Sequence, residues 1–392
     1  MTDYGKFTSD DVGSFFRSPV REIFKRVDLN KIYSMAGGYP SADTFPLEDI
    51  RELSSSVIDK YGAKAFQYGA TQGVPELREV ISKRYGVPLE RVQVTTSSQQ
   101  GIDVCTRVFV NPGDVILTSQ PTYLGALQSF KSYRADVRGV VRGGYEAEIQ
   151  KVLSEGKRIG FLYNIPDFQN PSGETLSLEE REEIALLARR YDFLIIEDCP
   201  YRELRYEGES LPTIYSIAPE RTLHLGSFSK IFAPGFRLGW IIAAPELLDP
   251  IYVCKQSLDL CPPVFDQYLA AEFMGSGKLD ANLSRSRELY RMKRGVMLEA
   301  LAGNMPDGVS WTHPQGGLFL FLTLPEGFDA VDFYDTALDA GVAYVAGNFF
   351  RTDGLGRNTM RLNFSFMTPE RIREGVALLA KLIKNRLTEN TD

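Results

Sequence analysis

Between residues 92 and 243 the chain alternates two rhythms. Short β-branched or aromatic runs at 92–96, 115–119, 159–165, 193–198, 222–225 and 238–243 read as strands. Longer stretches with helical spacing lie between them, at 98–110 and 178–191, and two further helices are predicted at 47–61 and 74–85. Strands that alternate with helices build a parallel sheet, because each parallel neighbour needs a crossover of helical length. The helix predicted over 178–191 opens with Ser177-Leu178-Glu179-Glu180, a pattern in which serine and glutamate each satisfy one of the first free amides.

After about residue 246 the pattern changes. A long helix at 280–302 carries many charges on its exposed side, followed by strands at 309–313 and 318–324, a helix around 330–340, a strand at 360–364 and a last helix over 369–386. Thr368-Pro369-Glu370 supplies the cap, first-turn proline and acidic first turn of that last helix. A chain of 392 residues suits one large domain and one smaller. We expect an N-terminal segment at 1–45 packing with the small domain, a large domain at 46–275 and the small domain at 276–392.

Composition narrows the function. With 43% hydrophobic residues, 24% charged residues and a net charge of −7, the chain has the make-up of a globular protein and lacks the basic footprint of a nucleic-acid binder. The N-terminus has no charged-then-apolar leader and no apolar run reaches membrane length, so a cytoplasmic protein without membrane contact is expected. The four cysteines, Cys105, Cys199, Cys254 and Cys261, form no Cys-x-x-Cys pair and read as small apolar residues. Only two histidines exist: His224 lies inside an apolar strand pattern, and His313 precedes Pro314-Gln315-Gly316-Gly317. That leaves no setting for a His-rich metal site or a Ser-His-Asp hydrolase, and no metal is expected. Neither Gly-x-Gly-x-x-Gly nor a Walker A sequence occurs, which argues against dinucleotide or nucleoside-triphosphate chemistry.

The chemistry gathers around Ser227-Phe228-Ser229-Lys230 and Arg237. A lysine amine forms a Schiff base with a carbonyl. An arginine fork suits a phosphate, and serine hydroxyls add short donors. Asp198 ends the strand predicted at 193–198, where open α/β sheets place their ligands; alone, such an aspartate serves equally well to cap the next turn. Each element has a bland reading of this kind: Lys230 as a solvated loop lysine, Tyr123 as core packing, Arg361 as the partner of a surface acid. Their company in order is more telling: Tyr68, Ser98-Gln99-Gln100, Tyr123, Asn170-Pro171-Ser172-Gly173, Asp198, Tyr201, Lys230, Arg237 and Arg361.

In that order the residues resemble the cofactor site of fold-type-I enzymes that use pyridoxal 5′-phosphate, and specifically the class I and II aminotransferases, over nearly the whole chain. The resemblance implies an α/β fold whose large domain holds a mostly parallel seven-stranded sheet flanked by helices, with a smaller α+β domain. Lys230 would hold the cofactor as a Schiff base and then carry the proton, as a desolvated amine near cations can. Asp198 would face the ring nitrogen, and Tyr201 and Asn170 the phenolic oxygen. Tyr123 would stack on the ring. The phosphate would rest on the helix start at Ser98 and Gln99, with Ser227, Ser229 and Arg237 around it; the family usually has glycine where this chain has Ser97. Arg361 would grip the substrate carboxylate against the Gly37-Gly38 turn, an orienting contact. Tyr68 would reach the phosphate of a second subunit, which implies a homodimer with shared sites.

Arg17-Ser18-Pro19-Val20-Arg21 and Met35-Ala36-Gly37-Gly38-Tyr39-Pro40, with Ser98-Gln99-Gln100, look most like the 2-aminoadipate and kynurenine aminotransferase subgroup. That implies an acidic, aromatic or branched amino acid as donor and a 2-oxo acid, 2-oxoglutarate, as acceptor. Tyr39 replaces the aliphatic residue usual in its motif and opens the donor question. Arg21 would meet the distal carboxylate of an acidic substrate, although an arginine on a solvated helix face fits the pattern as well. Two alternatives stay open: another reaction of the same cofactor, such as β-elimination or decarboxylation, and a regulator carrying this fold behind a DNA-binding module. The regulator would need a basic segment ahead of the fold, and about three dozen residues precede Gly37.

Overall fold

In the computed structural model, which describes residues 4–8, 12, 28 and 31–389, the alternating stretch becomes a single large sheet. The elements run β1 (Tyr33–Ser34), α1 (Leu47–Tyr61), α2 (Pro75–Tyr85), β2 (Val92–Thr95), α3 (Ser98–Phe109), β3 (Val115–Ser119), α4 (Leu124–Ser132), β4 (Asp136–Val140), α5 (Tyr145–Ser154), β5 (Ile159–Asn164), α6 (Leu178–Tyr191), β6 (Leu194–Asp198), β7 (Thr222–Ser227) and β8 (Gly239–Ile242). Seven of these strands pair in the order β2-β8-β7-β6-β5-β3-β4. Strand β8 is antiparallel to both neighbours and every other pair is parallel.

A parallel sheet covered on both faces needs strands that are apolar throughout. Strands β5 and β7 are buried at every residue, and two of their polar members, Asn164 and His224, are paired with Tyr145 (3.1 Å) and Glu197 (2.8 Å). The capping box of α6 forms as its sequence requires: Glu180 N donates to Ser177 Oγ at 3.3 Å and Ser177 N to Glu180 Oε2 at 2.7 Å. The edge strand β4 had no sequence signal because Asp136, Arg138 and Gly139 interrupt its apolar pattern. Its structure explains them, since Arg138 pairs with Asp136, Glu148 and Glu155 along the sheet edge.

The chain continues through α7 (Pro245–Leu258), α8 (Val264–Gly275), α9 (Lys278–Asn304), β9 (Ser310–Trp311), β10 (Phe319–Thr323), α10 (Tyr334–Asp339), β11 (Val342–Ala343), β12 (Val345–Ala346), β13 (Thr359–Asn363) and α11 (Pro369–Glu389). Strands β12-β13-β10-β9 form an antiparallel sheet. Two expectations shrink. The helix expected at 330–340 starts only at Tyr334, because the Asp329 carboxylate takes the amides of Val331 (2.8 Å) and Asp332 (3.1 Å) and holds a turn there. The strand expected at 309–313 keeps only Ser310–Trp311.

Strand β1 pairs in parallel with β11, Tyr33 opposite Val342, so the segment before α1 is tied to the C-terminal part of the chain. Ser41 adds to the tie: its amide donates to Tyr290 Oη at 2.9 Å, and Lys293 Nζ donates to its Oγ at 2.9 Å. Among the described residues no helix is long and apolar enough to cross a membrane.

Candidate active site

The parallel strands β5, β6 and β7 end side by side, and Asp198 closes β6, 2% exposed. Its Oδ2 accepts a 2.7 Å hydrogen bond from the Tyr163 phenol, whereas Oδ1 is buried with no partner among the described residues. Burial raises the carboxyl to about 7, against the opposing pull of the Tyr163 hydrogen bond and of His224. Glu197, one residue earlier, accepts from the amides of Ile214 (2.6 Å) and Tyr215 (3.1 Å) and pairs with His224 Nδ1 at 2.8 Å. Cys199, Glu197 and His224 bring ligand-type atoms within 4.8 Å of one another, but the Glu197 carboxylate is already spent on two amides and an imidazole.

Beyond β7 the chain turns through Ser227 and Ser229, whose amide donates to Ser227 Oγ at 3.2 Å, into Lys230. Lys230 Nζ donates to the Gly38 carbonyl at 2.8 Å. Loss of hydration, with Arg361 and Arg237 nearby, brings its ammonium down to about 8. Arg237 adopts φ 51° and its Nη2 donates to Ser97 Oγ at 2.8 Å. Ser97 sits at the N-cap of α3 with φ 83°, a left-handed geometry that a non-glycine residue adopts at a cost. Serine thus follows the path that glycine would take. Gly239 is required beside it, since a Cβ there would lie 2.7 Å from the carbonyl carbon of Ser97 and 2.8 Å from the amide of Ser98.

The turn at 96–98 is braced by residues that carried no sequence signal. Asp259 Oδ2 accepts from Thr96 Oγ1 at 2.9 Å and from Gln100 Nε2 at 2.7 Å, and Lys255 Nζ donates to Asp259 Oδ1 at 2.6 Å. Burial works against this carboxylate, yet Lys255, Gln100 and Thr96 hold it below the usual range. Gln100 Oε1 also takes the Thr96 amide at 2.8 Å. The Gln99 side chain is turned to the Gly125 carbonyl at 3.1 Å, leaving its backbone amide in the first turn of α3.

Arg361 comes from β13, 4% exposed. Its Nη1 donates to Asn170 Oδ1 at 2.8 Å and its Nη2 to the Ala36 carbonyl, while Nε is buried without a partner among the described residues. The guanidinium lies over two rings, 4.4 Å from the centre of Phe319 and 4.9 Å from that of Phe350. Burial lowers it to about 10, so it stays charged at neutral pH. Tyr201, 5% exposed, meets Phe319 edge-on at 5.7 Å, and burial raises its phenol. The Asn170 loop rests on two further unread residues. Asp167 is gripped by Arg181 (2.9 Å), Arg202 (2.9 Å) and Arg205 (3.3 Å), and Gln169 Nε2 donates to Ser119 Oγ at 2.7 Å.

The structure therefore gathers Lys230, Gly38, Arg361, Asn170, Tyr201 and Asp198 at the strand ends, with Tyr123 at the start of α4 and Ser97, Ser98, Ser227, Ser229 and Arg237 on the lysine side. Tyr39 is 42% exposed, its ring 6.0 Å from that of Phe366. Tyr68 stands apart, 79% exposed, in a cleft of about 640 Å³ that it shares with Thr96 and Asp259. Arg21 lies outside the described residues.

This donor set fits a phosphorylated pyridine aldehyde. The buried, unpartnered Asp198 Oδ1 is an acceptor waiting for an N–H, the lysine amine is depressed toward its nucleophilic form, and a helix start with an adjacent guanidinium suits an anion.

Residues 36–379 match the family Aminotransferase class I and II. An aromatic-amino-acid aminotransferase of Thermococcus litoralis is 43% identical, covering 98% of this chain and 96% of its own. The crystal structure of a multiple substrate aminotransferase from Thermococcus profundus superposes with a TM-score of 0.94 at 41% identity, covering 99% of this chain and 100% of its own. That of an alpha-aminoadipate aminotransferase from Thermus thermophilus, complexed with N-(5′-phosphopyridoxyl)-L-leucine, gives 0.92 at 33% identity over 99% of this chain and 100% of its own.

Proposed function

The chain belongs to the class I and II aminotransferases and is a pyridoxal 5′-phosphate-dependent transaminase; from that premise we propose that it moves amino groups from acidic, aromatic or branched L-amino acids to 2-oxoglutarate through Lys230. The cofactor supplies an electron sink for the pair left when the substrate loses its α-proton. Everything else falls to the chain.

Asp198 offers its unpartnered Oδ1 to the ring nitrogen and keeps it protonated. Tyr201 and Asn170 hold the phenolic oxygen, and Tyr123 packs on the ring. The amides of Ser98 and Gln99, with Ser227, Ser229 and Arg237, hold the phosphate. Lys230 anchors the cofactor and then moves a proton, a role that its lowered basicity favours. Arg361, backed by Gly38, takes the substrate α-carboxylate, while Tyr39 faces the substrate side chain. Tyr68 completes the phosphate site of a partner subunit, so the active unit is a homodimer. In the same reading, the described part of the N-terminal segment, 31–45, packs with the small domain that begins at 276, beside the large one at 46–275. Four unpaired cysteines suit a reducing cytoplasm.

The observation that carries this reading is that two cationic side chains bond to carbonyls two residues apart, Lys230 to that of Gly38 at 2.8 Å and Arg361 to that of Ala36. Because both are held on one short segment, a carboxylate taken by Arg361 would bring its α-carbon toward Lys230. Relatives named for aromatic amino acids, aminoadipate and multiple substrates support a broad donor range. The test is a donor panel with 2-oxoglutarate, read by glutamate formation. We expect glutamate with 2-aminoadipate and aromatic donors; oxo acid released beyond one equivalent per site without an acceptor, or carbon dioxide release, would contradict the proposal.

A further inference from the structure

We propose that Tyr163 is a positioning residue for this transaminase, its phenol tying down one oxygen of Asp198 so that the other is presented to the cofactor ring nitrogen. This inference rests on the reading of Asp198 given above.

Tyr163 lies on β5, its register partner on β6 being Ile196, two residues before Asp198. The side chain is fully buried, and its ring meets Phe130 edge-on at 5.3 Å, which leaves the hydroxyl little freedom to turn elsewhere. That hydroxyl donates to Asp198 Oδ2 at 2.7 Å. Burial and the neighbouring Asp198 push the phenol well above its ordinary range, so it remains a neutral donor throughout the working pH range.

A carboxylate with neither oxygen held can rotate. With Oδ2 held, Oδ1 is left as the buried oxygen of this carboxylate without a partner among the described residues. The hydrogen bond also makes Asp198 a weaker base, so a proton shared between this carboxylate and a pyridine nitrogen stays on the nitrogen. The other titratable groups bearing on Asp198 are His224, which is engaged by Glu197, and Tyr201. Neither of them has a hydrogen bond to Asp198 that would duplicate the Tyr163 contact.

The experiment compares Tyr163→Phe, Asp198→Asn and the double variant, each reconstituted with pyridoxal phosphate carrying ¹⁵N in the ring. For Tyr163→Phe we expect borohydride still to fix the cofactor on Lys230, the ring ¹⁵N resonance to move toward unprotonated pyridine, and kcat to fall about tenfold with donor KM within about twofold. The double variant should be no slower than Asp198→Asn alone. An unchanged ¹⁵N resonance, or losses that multiply in the double variant, would overturn the proposal and leave Tyr163 as packing. Should Tyr163→Phe fail to fold, 3-fluorotyrosine at position 163 keeps the ring and strengthens the donor. It should move the resonance the opposite way, and no movement would overturn the proposal. Normal turnover in Asp198→Asn itself would strike the reading of Asp198, a separate failure.

Discussion

Lys230 Nζ donates to the Gly38 carbonyl at 2.8 Å, across 192 positions of the chain. The contact joins the turn after β7 to the segment that follows β1, which the β1–β11 pair ties to the C-terminal part of the protein. The site is therefore assembled from chain segments that fold far apart in sequence.

One consequence concerns pH. Burial, with Arg361 and Arg237, disfavours the Lys230 ammonium and lowers it to about 8, so the neutral amine is the minor form below that pH and the major form above it. The rate at which apo-protein takes up cofactor covalently should rise through about pH 8 and then level, as followed by stopped-flow absorbance. A rate still climbing beyond about pH 10, where an ordinary lysine titrates, would show that the amine is not perturbed.

Arg361 should govern every amino acid donor alike. Arg361→Lys keeps a charge but loses the fork, and kcat/KM should fall on the order of a hundredfold for acidic and aromatic donors together. A primary amine without a carboxylate should react equally well with both proteins. Selective loss with one class of donor would place Arg361 at the side chain instead.

Asp259 should act through the cofactor phosphate. In Asp259→Ala the brace on Thr96 and Gln100 is lost, and the Kd for cofactor should rise about tenfold with a smaller change in kcat at saturating cofactor. Unchanged cofactor affinity would show that the turn at 96–98 holds its shape alone.

Much of this was legible because local chemistry and tertiary role coincide. Ser177 and Glu180 advertise a helix start, the apolar runs at 115–119 and 222–225 demand burial, and Asp198 ends its strand where ligands bind. Other features were silent for physical reasons. Strand β4 hides behind Asp136 and Arg138, whose charges are met by neighbours on the sheet edge. Asp259 meets Thr96 and Gln100 about 160 positions away, so no local pattern marks it. Tyr163 looks like one more aromatic residue in a buried strand, and only its hydroxyl contact sets it apart. Two helices went unread: Pro245–Leu258 carries Pro250 inside it, and Val264–Gly275 is buried at eight of its twelve residues, which leaves no polar face to set a period.

Tyr68 allows a mixing test of the proposed shared site. It is 79% exposed within one chain, beside Thr96 and Asp259. Heterodimers of Lys230→Ala and Tyr68→Phe chains contain one site with both lesions and one with neither, and should regain activity that each parent lacks. No recovery, with subunit exchange verified by mass, would assign Tyr68 to its own subunit, and an unimpaired Tyr68→Phe parent would assign it to none.

The most direct test of the account is where the cofactor attaches. Reduction of the holoenzyme with borohydride, followed by peptide mapping, should place one phosphopyridoxyl group per chain on the peptide containing Lys230, and Lys230→Ala should lose both that adduct and turnover. An adduct on any other lysine, or full turnover in Lys230→Ala, would contradict it.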